Sequence, residues 1–231
     1  MFAIGHFALG YIFGKTSSKL AKVKVNLPLL LAASVLPDVD LLLRFIMHRG
    51  PTHSFITITV LMIPFFVVYR KQAIPYYAAL LTHILIGDFF TGGVQLFWPL
   101  STNMFGALNF NVNSLPIAIT ELVLFLATLP LMYKLGDLKS LLKPNSYSWA
   151  LIIPLGAILG PLITLTRLVS LGNGQESGLP ILLVIPSLFY IGLFTYSLYI
   201  WLKWRLRNNK TDLKHNNDQI SYDLSSERKY G

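Results

Sequence analysis

Cysteine is absent from the 231 residues, which excludes disulfides and thiolate metal ligands. Charge is also scarce: 13% of residues are Asp, Glu, Lys or Arg, against about a quarter in soluble domains. A chain this poor in charge and 54% hydrophobic lacks the polar surface of a water-soluble globule, which points to lipid. A Walker loop, a Gly-rich dinucleotide fingerprint and a heptad repeat are missing too, so the common nucleotide-binding and coiled-coil classes drop out. The opening Met-Phe-Ala-Ile-Gly-His has no basic n-region and no cleavage site, so no conventional signal peptide is expected.

What the chain does have is long apolar runs. Ser54–Tyr69, Leu115–Tyr133, Trp149–Leu171 and Leu179–Leu202 approach or exceed the roughly 17–25 residues that cross a bilayer as a helix. Phe2–Gly14, Leu27–Met47 and Ala73–Trp98 are apolar but interrupted by polar residues. The expectation is an all-α, polytopic transmembrane bundle of about seven segments. Residues 1–114 form a membrane-embedded half holding four of the five histidines and three aspartates; 115–202 form a three-span scaffold. Residues 203–231 form a basic cytoplasmic tail with too little apolar surface to order itself, and His215 within it is incidental. Gly156 and Gly160 make a GxxxG pair, a pattern that arises often by chance in Gly-containing apolar helices.

The net charge of +9 raises nucleic acid as a partner, but its distribution argues for a membrane instead. Lys15, Lys19, Lys22 and Lys24 follow the first segment, Arg70 and Lys71 the third, and Lys134, Lys139 and Lys143 the fifth; seven more lie from Lys203 onward. Sixteen of nineteen basic residues thus fall in alternate connections, and the intervening ones hold only Arg49. By the positive-inside rule the tail is cytoplasmic and the N-terminus outside, in a cell membrane. Trp149, Trp201 and Trp204 sit at the cytoplasmic ends of their spans, as interfacial aromatics do.

This topology brings the polar residues of the first half to one side of the midplane. His6 lies near the outer start of segment one, Asp38 and Asp40 in the outer part of segment two, and His48, Arg49 and His53 in the outer turn before segment three. His83 and Asp88 lie in the outer part of segment four. A charge at the bilayer centre costs at least ~2.5–3.5 kcal/mol, so such a gathering needs a stabilising partner. Four imidazoles and three carboxylates suit zinc first, and manganese or iron as well. Seven potential ligands exceed one tetrahedral site, so one to three ions, including a hydrolytic pair, fit the count.

Some of these residues have structural alternatives. Asp38 follows Pro37 in mid-membrane, and Asp38 and Asp40 point about 200° apart on a regular helix, so only a break near Pro37 lets both reach one site. Asp40, Arg44 and His48 recur along one helix face, so Asp40 either joins the cluster or neutralises Arg44. His83 and Asp88 are five apart, and a π-bulge at Gly87 would bring them together. Glu121 and Arg167 are expected at similar depth, paired with each other unless Glu121 serves as an extra ligand or base. The Asn-containing connection Leu100–Ser114 either folds over the site or is a plain loop.

The motifs resemble those of the YdjM-type membrane-bound metal-dependent hydrolase family. The matching pieces are GHxxxG at Gly5–Gly10, LPDVD at Leu36–Asp40, HRGPTHS at His48–Ser54 and HILIGDFFTGGVQLFWP at His83–Pro99, covering about the first hundred residues in the family's order. That family is similar in motif pattern to zinc-dependent phospholipases C and P1-type nucleases. The resemblance implies metal ligation by His6, Asp38, His53, His83 and Asp88, with Asp40 and His48 as further members. The family commonly spaces its second His and following Asp by four, so the spacing of five is a departure. The function expected is hydrolysis of a phosphoester by a metal-activated water, with Asp40 and Arg49 in the catalytic machinery. Arg49 either pairs with a phosphate oxygen or is an interfacial arginine. The expected substrate is a lipid or lipid-linked phosphate on the extracytoplasmic side. A metal-binding or metal-transporting protein without hydrolysis, and a buried hydrogen-bonded network without metal, are the alternatives.

Overall fold

The computed structural model describes the backbone of residues 1–42, 47–108, 110–171 and 180–230, and their side chains except at 42, 163–171 and 210–230. Among the described residues the chain is all-helical, with one isolated bridge between Val94 and Phe105 in place of any strand.

Helix α1 (Ala3–Leu20) packs against α2 (Leu27–Val35), α4 (Ile74–Thr82) and α5 (Leu115–Lys134). It buries Ile4, Phe7 and Tyr11 in the apolar core, where the Phe7 ring meets Tyr190 and Phe194 of α8 (Val184–Tyr230) edge-on at 5.1 and 5.5 Å. A Cβ on Gly10 would strike Ser34, and one on Gly14 would strike Leu30, so this glycine pair lets α1 and α2 lie against each other. The GxxxG noted in the sixth span has no such role at Gly156, where a Cβ meets open space. At the far end of α1 the Tyr11 hydroxyl donates to Asp137 at 2.6 Å and Lys15 pairs with the same carboxylate at 2.8 Å, joining α1 to the short α6 (Asp137–Leu141).

Helix α2 starts where Asn26 accepts the Leu29 amide and Pro28 fits the first turn, and it stops after nine residues. Pro37 cannot continue the α-helical hydrogen bonding, and Leu36–Leu42 run on as a 3-10 helix carrying both aspartates. Helix α3 (Phe55–Tyr69) is capped by Ser54, and Arg70, at φ 50°, reverses the chain into α4. The Thr59 and Tyr77 hydroxyls meet at 2.8 Å across this hairpin, and the Phe66 and Tyr77 rings meet at 5.4 Å.

Three helical stretches among the described residues are long and apolar enough to cross a membrane: Phe55–Asp88, Leu115–Lys134 and Ile181–Asn209, with a shorter apolar helix at Ser148–Leu162. These stretches do not confirm the count of about seven segments. Phe55–Asp88 folds back at Arg70 into two 15-residue arms. Helix α7 covers Ile152–Leu171, and α8 continues as helical backbone through the tail, where the composition predicts disorder; no proline or glycine occurs from Leu193 to Tyr230 to stop it.

Candidate metal centre

Three parts of the chain converge on one point: the 3-10 helix after α2, the turn before α3, and the end of α4, which supplies two positions. There the helix widens into a π-helix over His83–Asp88, which puts residues five apart on one face. A Cβ on Gly87 would collide with the His6 ring, so the widened turn accommodates α1 only because that residue is glycine.

The ligand atoms of Asp38, His53, His83 and Asp88 form a compact group. His53 Nε2 lies 3.2 Å from His83 Nε2, 3.4 Å from Asp38 Oδ1 and 3.1 Å from Asp88 Oδ2. His83 Nε2 lies 3.4 Å from Asp38 Oδ1 and 3.5 Å from Asp88 Oδ2. A tetrahedron with bonds of about 2.0–2.1 Å to its centre has edges of about 3.3–3.4 Å, so these five edges match a four-coordinate transition-metal site.

The rings are held with their lone pairs inward. His83 Nδ1 meets the Ser34 carbonyl at 2.8 Å, and since a carbonyl only accepts, Nδ1 carries the proton and Nε2 is left bare in the neutral ring. The Thr52 hydroxyl is committed to Asp40 Oδ2 at 2.7 Å, so His53 Nδ1, 3.2 Å from that oxygen, donates to it. Two bare Nε2 atoms 3.2 Å apart repel unless a cation lies between them. Burial pushes the His53 imidazole down, but the Asp38, Asp40 and Asp88 carboxylates around it outweigh that and hold the group well above its ordinary range. The cage attracts positive charge, as a proton or as a metal ion.

Asp88 is shared between the cage and its wall. Oδ2 faces the imidazoles with no hydrogen-bond partner, while Oδ1 receives the Met1 amino group at 3.1 Å and Arg49 Nη2 at 3.3 Å. Arg49, at φ 62°, also donates from Nη1 to the Thr91 carbonyl at 2.9 Å, leaving Nε as its unpartnered nitrogen. The loop after the π-helix is pinned here: the Gln95 amide donates to the Arg49 carbonyl at 2.9 Å, and Val94 bridges Phe105. Beside it, Met104, Gly106 and Ala107 of the following connection line a cavity of about 350 Å³ with Gly92 and Gly93.

Asp40, His48 and His53 form a second group that shares His53 with the first. Asp40 Oδ1 lies 3.0 Å from His48 Nδ1 while its Oδ2 meets His53 Nδ1, so Asp38 and Asp40 address opposite nitrogens of the His53 imidazole. His48, with a 39% exposed side chain, is the open edge of the cluster. His6 stacks on His83 at 3.7 Å, 13° from parallel, with Nε2 3.7 Å from Asp88 Oδ1. Both its ring nitrogens are buried without a partner, an orphaned donor set at the edge of the cage.

Residues 1–201 match the YdjM inner membrane protein family. The chain belongs to that family. No curated protein and no solved structure matches it. A membrane location follows from the family and from the apolar helices together.

In this YdjM-family protein all seven expected His and Asp residues lie in or against the two groups. Arg44 lies outside the described residues, and so does the side chain of Arg167. Glu121 accepts the amides of Phe2 at 2.7 Å and Gly5 at 3.0 Å, acting as a buried cap for α1 just before His6. Thr52 and Thr91 were given no role by the sequence, although both stand inside the motifs quoted above. The available signal is a hydroxyl one residue before His53 and another three residues after Asp88.

Proposed function

We propose that the protein is an integral-membrane, metal-dependent hydrolase acting on a phosphoester of a lipid or lipid-linked substrate. The convergence of His53 Nε2, His83 Nε2, Asp38 Oδ1 and Asp88 Oδ2 at tetrahedral edge lengths carries this reading. Two nitrogen and two oxygen donors suit zinc, with manganese or iron also compatible. A divalent cation held there supplies Lewis acidity, polarising a phosphoryl oxygen and lowering the pKa of a water toward ~7.

The chain's own groups account for the remaining tasks. Hydrolysis forms a bond from water oxygen to phosphorus as the water loses a proton, and breaks the ester bond as the departing alkoxide gains one. His48 at the exposed edge, backed by Asp40, takes up and returns that proton. Arg49 holds Asp88 in place and offers Nε to a phosphate oxygen. The alternation of basic residues along the sequence supports an extracytoplasmic cluster and a cytoplasmic tail.

One observation favours a second reading, a metal-binding or metal-transporting protein without turnover. Four protein ligands close the coordination shell, as in structural sites, whereas catalytic zinc keeps a position open. Elemental analysis of purified protein with a screen of generic phosphoesters separates the two. Bound metal with metal-dependent hydrolysis lost in His53→Ala supports the hydrolase; bound metal with no turnover on any ester supports the second reading; full activity in metal-free protein refutes both.

A further inference from the structure

A cavity of about 1080 Å³ lies between α2 and α3, with Tyr76 and Trp149 in its lining. Its walls are mostly apolar, with Lys24, Asn26 and Gln72 among the exceptions, and alanines at 32, 33, 73 and 150 leave the space. Its upper wall includes Pro37 and Val39, which flank the ligand Asp38, and Thr52, which flanks the ligand His53. A void this size exceeds any packing defect of a close-packed interior and stands at the top of the range for small-molecule sites.

We infer that this cavity holds an alkyl chain of the membrane-lipid substrate while its phosphate headgroup reaches the Asp38–His53 cage, which rests on the hydrolase reading above. Three observations select a lipid chain as occupant. The wall formed by Thr57 to Tyr69 runs about 18 Å along α3, longer than the ~15 Å of one leaflet. The side is open: Leu61 is 63% exposed and Phe65 51%, so in a bilayer the groove faces lipid rather than water. The groove also lies next to the cluster, since Pro37, Val39 and Thr52 of its lining adjoin Asp38 and His53 in the chain. Entry is therefore sideways from the leaflet, and the substrate need not leave the membrane to be bound.

The test uses the full chain in nanodiscs with a phosphatidic acid that carries a diazirine at mid-chain, followed by mapping of the labelled peptides. Labelling is expected to concentrate on Ala32–Leu36 and Ile58–Phe65, above the lipid-exposed face of α5 at Val123 and Leu126. Leu61→Trp and Ala33→Trp, which fill the groove from opposite walls, are expected to lower groove labelling about tenfold, equivalent to losing burial of about two methylenes, while α5 labelling is unchanged. Leu61 is largely exposed, so its variant keeps the test valid should Ala33→Trp fail to fold.

Groove labelling no greater than that of α5, no loss in Leu61→Trp, or crosslinks to a second copy across the groove would each overturn the inference. The hydrolase reading fails separately. Groove labelling without hydrolysis of any phosphoester leaves the lipid site standing and removes the enzyme. Hydrolysis of a short-chain soluble phosphoester without groove labelling does the reverse.

Discussion

Replacing Asp40 with alanine separates two roles that its position allows. Asp40 Oδ2 accepts from His53 Nδ1 at 3.2 Å and from Thr52 at 2.7 Å, and Oδ1 faces His48 at 3.0 Å. If Asp40 orients His53, all four cage donors survive its loss, but the imidazole is then steered by Thr52 alone. Outer partners of ligand histidines are worth about 10–100-fold in metal affinity, that is ~1.4–2.8 kcal/mol. Asp40→Ala is therefore expected to weaken binding by that factor with metal stoichiometry unchanged. Asp38→Asn, which removes a cage donor, should cost far more, and His48→Ala far less. The assay is elemental analysis for stoichiometry and competition with a chelator of known affinity for strength, both on detergent-purified protein. If Asp40 instead ligates a second ion with His48, both Asp40→Ala and His48→Ala lose a full equivalent of metal and leave the affinity of the remainder intact. That result refutes the orienting role.

Because neighbouring carboxylates overcome burial to raise the proton affinity of His53, metal and protons compete for it: apparent metal affinity should fall as pH is lowered, and loading near neutrality should release protons, measured in weakly buffered solution. An affinity flat with pH contradicts this. Glu121→Ala removes the acceptor for two amides of α1 and is expected to cost about 1–2 kcal/mol, seen as a lower thermal midpoint in detergent; Glu121→Gln should keep most of it. Gly87→Ala drives a methyl into the His6 ring and should cost about 1–3 kcal/mol and weaken metal binding, whereas Gly156→Ala should stay within about 0.5 kcal/mol, both read by thermal melting.

The parts of this site that the sequence made legible are those governed by local rules. Helical spacing asks for a break at Pro37, and the chain leaves α-helix at Leu36. Five residues between His83 and Asp88 ask for a widened turn, and a π-helix is there. Two features depend on contacts between distant segments and had no local trace. Arg49 turns toward Asp88 because the Gly92–Leu96 loop docks on its backbone. Glu121 meets the start of α1 because α5 packs beside it. The 3-10 helix after Pro37 also sets the angle that lets Asp38 and Asp40 address opposite nitrogens of His53, a local effect of the proline.

Charge bookkeeping limits how many ions this arrangement takes. Asp38, Asp40 and Asp88 bring three negative charges into the cluster, and Arg49 returns one positive. With neutral imidazoles the sum is −2, which one divalent cation cancels. Without metal, the same neutrality requires two protons on the histidines, so the metal-free and metal-loaded states differ by a proton exchange rather than by an uncompensated buried charge. A second divalent ion would leave +2 in a low-dielectric site, and that excess is what a bound phosphate dianion neutralises. One ion in the absence of phosphate, with a second held only when phosphate is also bound, is the occupancy that the fixed charges favour. Elemental analysis with and without inorganic phosphate reads this directly, and two tightly held ions in phosphate-free protein would refute it.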